Sequence, residues 1–272
     1  MTTEMTMLAD CHVHLDSYST VDIAGILRRA HEAGVGLLIS AGTTLDSSAR
    51  SSDLASQFSP IFAGVGIHPM DVSQSMDEDT YYQLKSLAEA NKKVVVISEI
   101  GLDFIEGAPD RAIQYQSFRE QIRLARELKL PIIFHTRDAH EETLRLLKEE
   151  QAYQVGGAMH YFQADAATAS KCLDMGFYIS LAKPLLRLPH LQEVVAQLPL
   201  DCLLLETDSY SQPFKEKRKN WTEPSHVRLV AEKLAELKGI TLDEVEEATT
   251  NNLLSLLATR VEVVRAYTSL GK

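Results

Sequence analysis

The chain has 272 residues, 45% of them hydrophobic, with a formal net charge of −11 and an isoelectric point near 5.3. This acidic balance excludes a broad basic surface that holds long nucleic acid non-specifically, although a divalent metal centre can still supply positive charge locally to a short single strand. No apolar run reaches the roughly 18 residues that a membrane span needs, so we expect a soluble, unprocessed protein without membrane contact.

Short β-branched runs alternate with longer amphipathic stretches along the whole chain. The stretch over residues 113–128 shows the helical spacing most clearly, because its apolar residues form one stripe among charged ones. Strands are predicted at residues 7–11, 35–41, 61–67, 94–99, 132–135, 157–160, 177–181 and 202–207.

Eight strands that alternate with helices predict a parallel sheet with right-handed crossovers. A closed barrel of this kind typically uses about 250 residues. We therefore predict the α/β class, with a TIM-like (β/α)8 barrel as a single domain over residues 7–265, a short polar extension over residues 1–6, and a surface loop over residues 209–224.

The cysteines indicate the redox environment. Cys11, Cys172 and Cys202 are odd in number, form no C-x-x-C pair and lie beside apolar residues. Buried, reduced thiols are typical of intracellular proteins, so we expect a cytoplasmic location.

The strongest local motif is His12-Val13-His14, directly after the first apolar run. Strand side chains alternate faces with period two, so both imidazoles point the same way where the strand ends. An isolated H-x-H is as often an ordinary polar strand end as a metal site. The interpretation gains weight because five other predicted strands also end in a polar group that can bind a metal or a substrate: His68, Glu99, His135, His160 and Asp208.

In a barrel these strand ends meet at the C-terminal face, where the active sites of this fold lie. Even four of these histidines together with the two carboxylates exceed the three protein ligands of a mononuclear catalytic zinc site, so two ions are expected. Glu99, from the middle of the strand order, is the natural bridging carboxylate. Imidazole and carboxylate ligands suit zinc, manganese, iron or nickel, and magnesium can support activity in an assay.

At these residues the chain resembles the TatD-type deoxyribonucleases, a branch of the amidohydrolase-like metal-dependent hydrolases. The matching motifs run nearly end to end: residues 10–16, Gly66-Ile67-His68-Pro69, Glu99-Ile100-Gly101-Leu102-Asp103, residues 131–139 with His135-Thr136-Arg137-Asp138-Ala139, His160, and Glu206-Thr207-Asp208.

The resemblance implies that His12, His14 and Asp208 hold one metal, that His135 and His160 hold the other, and that Glu99 bridges them. It also implies that the substrate phosphate lies near His68, Arg137 and His140, where cations or hydrogen-bond donors suit an anionic oxygen. Asp103 is expected to shape its loop. The chain departs from the family pattern at Ser98, Tyr161 and Ser209, which changes the rim of the pocket more than the ligands.

The leading hypothesis is a 3′-to-5′ exodeoxyribonuclease that acts on single-stranded or frayed DNA ends through a water activated by two metals. Asp208 would orient that water or accept its proton, with Glu99 as the second catalytic carboxylate. Arg137 and the basic residues 215–219, Arg218 among them, would contact flanking phosphates, although a solvated charge run is an equal alternative. Four aromatic residues near the rim could stack unpaired bases or pack within their loops: Tyr161, Phe162, Tyr210 and Trp221.

Two alternatives keep the metals. The same site could hydrolyse an amide or ester, including the aminoacyl ester of a charged tRNA, since an activated water attacks carbonyl carbon as readily as phosphorus. The chain could also be a metal-binding subunit that works through a protein partner, as its altered rim and acidic surface would allow.

Overall fold

The computed structural model describes residues 7–269, so the predicted extension over residues 1–6 lies outside the described residues. Eight strands and ten longer helices follow one another along this part of the chain. The strands are β1 (Leu8–Val13), β2 (Val35–Ala41), β3 (Ile61–Val65), β4 (Val94–Asp103), β5 (Ile132–Arg137), β6 (Gly157–Met159), β7 (Tyr178–Leu181) and β8 (Leu203–Leu205). The helices are α1 (Thr20–Glu32), α2 (Leu45–Gln57), α3 (Glu78–Ala90), α4 (Arg111–Leu128), α5 (His140–Glu149), α6 (Ala166–Asp174), α7 (Pro189–Gln197), α8 (Val227–Lys238), α9 (Leu242–Leu256) and α10 (Val261–Ser269).

All neighbouring strands pair in parallel, in the order β1 to β8. The ends of β8 and β1 meet through a bridge between Val13 and Ser209 and a hydrogen bond from the Asp208 amide to the His12 carbonyl (3.0 Å). The predicted TIM-like (β/α)8 barrel is therefore confirmed. Residue 265, the predicted end of the domain, lies inside α10.

The core has two parts, which follow from the alternation of strand side chains. The larger buried cluster, which includes Leu38, packs between the strands and the surrounding helices. Leu37 and Ile39 belong to a second cluster, which includes Leu257 and Val264 from the C-terminal helical region. The second cluster joins the strands to α9 and α10, so it closes one end of the barrel and leaves the opposite end for the functional side chains.

Several predicted boundaries were wrong, and β4 matters most. The sequence predicted that this strand ends at Glu99, but it continues to Asp103 and pairs with β5 after a register shift between Ile97 and Ile100. Gly101 permits this pairing: its φ is +149°, and a Cβ there would collide with the His135 carbonyl. Glu99 is consequently enclosed within the barrel, beside His135.

Helix α4 confirms the predicted helical stretch but carries polar side chains that the apolar stripe did not predict. It begins at Arg111 because the Asp110 carboxylate accepts hydrogen bonds from the Ala112 and Ile113 amides. Buried Gln114 accepts from the Asp103 amide and donates to the carbonyls of Asp103 and Pro109, all at 2.8 Å. This amide therefore fixes the end of β4.

Replacing Gln114 with leucine is expected to lower the free energy of unfolding by roughly 3 kcal/mol, because two buried backbone groups and one partly buried carbonyl would lose their partner. Gln197→Leu is the control, since Gln197 is exposed and makes one 3.4 Å bond. Denaturant unfolding of the two variants measures the difference. Equal midpoints would contradict the role of Gln114.

No helix among residues 7–269 is both long and apolar enough to cross a membrane. All three cysteines are free thiols, with Cys11 and Cys172 buried and Cys202 partly buried.

Candidate metal centre

The predicted ligands converge around the carboxylate of Glu99. Its Oε2 lies 3.3 Å from His12 Nε2 and 3.4 Å from His14 Nε2. Its Oε1 lies 3.1 Å from His135 Nδ1 and 2.9 Å from His160 Nε2. Each oxygen of one carboxylate thus faces its own pair of the predicted histidine ligands.

Asp208 completes the first of these two groups. Its Oδ1 lies 3.2 Å from His14 Nε2, and its backbone is tied to β1 through the His12 carbonyl. Asp208 adopts the left-handed conformation (φ 51°), as do Tyr161 (φ 50°) and Asp138 (φ 54°). All three line the same cavity. Non-glycine residues rarely adopt this conformation, and such residues cluster at functional sites.

Three of the histidines are oriented through their second ring nitrogen. His14 Nδ1 lies 3.2 Å from the Ala41 carbonyl, His135 Nε2 lies 2.9 Å from Asp103 Oδ2, and His160 Nδ1 lies 3.2 Å from Glu206 Oε1. Metal-binding histidines almost always donate their other N–H to a carbonyl or carboxylate, which fixes the ring and its tautomer. In each of these three rings one nitrogen is held by its partner and the other faces Glu99, which is the arrangement that metal binding requires.

His12 gives a second test of whether a metal fits. Its side chain is fully buried, yet Nδ1 has no hydrogen-bond partner among residues 7–269, and the 3.3 Å contact of Nε2 with Glu99 Oε2 lacks the geometry of a hydrogen bond. Buried polar groups without partners are rare and call for an explanation such as an ion. In the part of the chain that the structure describes, four sets of side chains could hold an ion: His12, His14 and Glu99; Glu99, His135 and His160; His12, His160 and Asp208; and His68, Asp103 and His135.

Burial and the charges of neighbouring groups both shift the pKa values of the residues in the centre. Burial alone would raise the pKa of Glu99, but the surrounding histidines, His68 and His160 first, hold it well below its ordinary value. Burial lowers the pKa of His12, and neighbouring His160 lowers it further. Glu99 and His12 are therefore already in the ionised and neutral states that bind a divalent cation. Burial opposes the charged form of His14, His135 and His160, but the carboxylates beside them outweigh burial and raise the pKa of these three rings, so they would release protons when a metal binds.

The predicted substrate residues His68, Arg137 and His140 all line a cavity of about 640 Å³ above the centre. His68 also lies against the centre itself, since its Nε2 is 3.3 Å from Glu99 Oε1. Arg137 is half exposed and pairs with Asp103 at 2.6 Å. His140 Nδ1 lies 3.1 Å from the Thr136 hydroxyl.

Arg218 differs from the other predicted substrate residues, because it does not line this cavity. Its guanidinium lies 4.0 Å from the centre of the Trp221 ring, and its Nε donates to Glu223 at 3.1 Å. The segment 209–224 is also not simply a surface loop. It buries several polar residues, namely Ser209, Gln212, Thr222 and Glu223.

Three buried carboxylates make contacts that the sequence did not predict. Asp103 does more than shape a loop, because it holds both His135 and Arg137. Glu206 accepts from the Tyr161 amide at 2.7 Å and from the Ser180 hydroxyl at 2.5 Å, besides facing His160. Asp10 accepts from the Thr207 amide and hydroxyl. The period-two rule that pairs His12 with His14 also pairs Glu206 with Asp208, so this signal was available.

Comparisons with known proteins agree with one another over most of the chain. Residues 9–258 match the family model described as TatD related DNase. The chain is 40% identical over 253 residues to YabD of Bacillus subtilis, named an uncharacterized metal-dependent hydrolase, covering 90% of this chain and 97% of the relative. It is 30% identical over 261 residues to human deoxyribonuclease TATDN3, covering 92% and 94%. The crystal structure of YJJV, a TatD homolog from Escherichia coli K12, superposes with a TM-score of 0.84 at 30% identity, covering 93% and 98%.

Proposed function

Because the chain belongs to the TatD-related DNase family and is a metal-dependent hydrolase, we propose that it is a 3′-to-5′ exodeoxyribonuclease acting on single-stranded or frayed DNA ends. One observation carries the proposal. The two oxygens of Glu99 face two separate histidine pairs at the floor of a cavity that also presents Arg137 and His140.

We assign the ligands by this geometry. His12, His14 and Asp208 would hold one divalent ion, His135 and His160 would hold the other, and Glu99 would bridge them. Zinc, manganese, magnesium and nickel all fit such ligands, and ions bound there would polarise the scissile phosphoryl group and neutralise the leaving oxygen.

The chain's own residues would position the reactants. Asp208 Oδ1 would hold the attacking water and accept its proton, a task for an ionised carboxylate. The side chain of Asp208 suits this role because its contact with His14 outweighs burial and lowers its pKa. Arg137 and His140 would donate hydrogen bonds to the non-bridging phosphate oxygens, with Asp103 holding Arg137 in place.

The shape of the barrel favours attack at a strand end. Core side chains and α9 close the far end of the barrel, so a strand that enters the cavity cannot pass through it. A single strand also enters a cavity of about 640 Å³ more easily than a duplex, whose two strands would have to part first. The name of the human relative supports DNA as the substrate.

The test is to incubate the purified protein with single-stranded, blunt duplex and 3′-recessed DNA, labelled at the 5′ end, with Mg²⁺ or Mn²⁺. We expect mononucleotide release and progressive shortening from the 3′ end, fastest on the single strand, with none after chelation. Glu99→Ala is the control for a contaminating nuclease. If no nucleotide is released while an amide, ester or aminoacyl-tRNA substrate is hydrolysed, the amide or ester alternative replaces the nuclease.

A further inference from the structure

A group of basic residues lies on the connections that follow β7 and β8, beside the cavity but outside the metal centre. We propose that Lys183, Arg187 and Lys215 bind the phosphates of the single DNA strand that leads into the cavity, with Tyr210 and Phe214 stacking its bases. This surface, here called the strand track, rests on the proposed function and specifies how the substrate reaches it.

Hydrogen bonds join the two connections of the strand track. The Gln212 Oε1 accepts from Lys215 Nζ at 2.6 Å and from the Thr222 amide at 3.1 Å, while the Thr222 hydroxyl lies 3.4 Å from Lys183 Nζ. Gln212 and Thr222 are both buried. Two lysines from separate loops are thus held together by neutral groups, which leave their charges available.

The three cations have no carboxylate partner among the described residues, although carboxylates outnumber Lys and Arg by 38 to 27 in the chain. Lys183 begins a short 3-10 helix (Lys183–Leu186) and Arg187 directly follows it. Burial lowers the pKa of Lys183, and the positive charges of Lys215 and Arg187 lower it further. Within residues 209–222 the only carboxylate is Glu216, which is exposed and makes no ion pair. Like charges gathered without a counter-ion favour an anionic partner.

The strand track adjoins the cavity through two tyrosines. Tyr161 and Tyr210 both line the cavity. The hydroxyl of buried Tyr18 lies 2.8 Å from the Tyr210 carbonyl and 3.1 Å from the Thr222 carbonyl, which holds Tyr210 beside the residue that contacts Lys183. Tyr210 follows Asp208 by two residues and is 40% exposed.

The exposed aromatic ring of Phe214 adds a surface for a base. Its side chain is 69% exposed, unusual for phenylalanine, and Lys215 Nζ lies 5.9 Å from the ring centre. Proteins that bind single strands combine a basic groove with aromatic rings, because every base has a face that stacks. Arg218 lies in the same loop but is not part of the strand track, because Glu223 already neutralises its charge.

The first experiment measures binding without hydrolysis. Binding of a fluorescein-labelled oligothymidylate of twelve nucleotides is followed by fluorescence anisotropy in EDTA over a range of salt concentrations. Lys183→Ala/Arg187→Ala/Lys215→Ala is expected to reduce the slope of log K against log salt by about 2, since each phosphate contact on a single strand contributes about 0.7. The matched control, Lys92→Ala/Lys129→Asn/Lys148→Ala, removes three exposed and unpaired charges from other faces and is expected to keep the wild-type slope.

The second experiment compares hydrolysis of the same oligonucleotide with that of a dinucleotide. The ratio of the two kcat/KM values is expected to fall roughly tenfold or more in the track variant, mainly through KM, and to stay constant in the control variant. A track variant with wild-type slope and ratio overturns the proposal. If the wild-type protein binds the oligonucleotide but hydrolyses no DNA, the nuclease function fails and the salt slope alone decides on the strand track. If it binds no single strand, the strand track fails.

Discussion

Replacing Glu99 with alanine is expected to lower DNA hydrolysis by roughly 10³-fold or more and to reduce bound divalent metal from about two ions per chain to one or fewer. The reason is its position, because among residues 7–269 Glu99 is the only carboxylate whose two oxygens face both histidine pairs, at 2.9 to 3.4 Å. Without it, each set of ligands would lose an anionic member at once. Metal content by elemental analysis and release of nucleotides from a single strand measure the two effects.

Loss of folding is the competing explanation for an inactive Glu99 variant. Glu99→Gln separates the two, since the amide keeps the volume and one carbonyl oxygen but not the negative charge. We expect circular dichroism close to that of the wild type and the same loss of metal. Glu193→Ala, on the exposed side of α7, controls for purification. Full metal content in both Glu99 variants would contradict the bridging role.

The barrel could be predicted from the sequence because its pattern is repetitive. Eight apolar runs separated by amphipathic stretches leave few other arrangements, and strand ends of a parallel barrel must meet at one face. His12, His14, Glu99, His135, His160 and Asp208 were therefore found as a group. The bounds of β4 were not, since the register shift before Ile100 depends on close contact between Gly101 and β5.

The supporting residues were harder to predict, because their roles depend on long-range contacts. Gln114 lies on the apolar face of α4 and looks like an interruption until its bonds to the end of β4 are seen. Arg218 looks like a phosphate ligand in a basic run, but Glu223 binds it five residues later. Lys183 and Arg187 stand 32 and 28 residues before Lys215, so no local pattern joins them.

Replacing Asp208 with asparagine is expected to lower kcat by roughly 10² to 10⁴-fold, with a smaller change in KM, because an amide cannot accept the proton of the attacking water. Asparagine keeps the size of the side chain and tolerates the left-handed backbone at this position. The carbonyl oxygen of the amide can still face His14, so most of the bound metal should remain. Steady-state kinetics and metal analysis on the same preparation measure both.

The chain provides a matched control for this substitution in Asp138→Asn. Asp138 lines the same cavity and has nearly the same backbone conformation, with φ 54° against 51° for Asp208, but it has no contact with the histidines around Glu99. We expect its kcat to stay within about twofold of the wild-type value. Equal losses in the two variants would assign the effect to the charge of the cavity as a whole. A loss confined to Asp208→Asn identifies the carboxylate beside His14 as the proton acceptor.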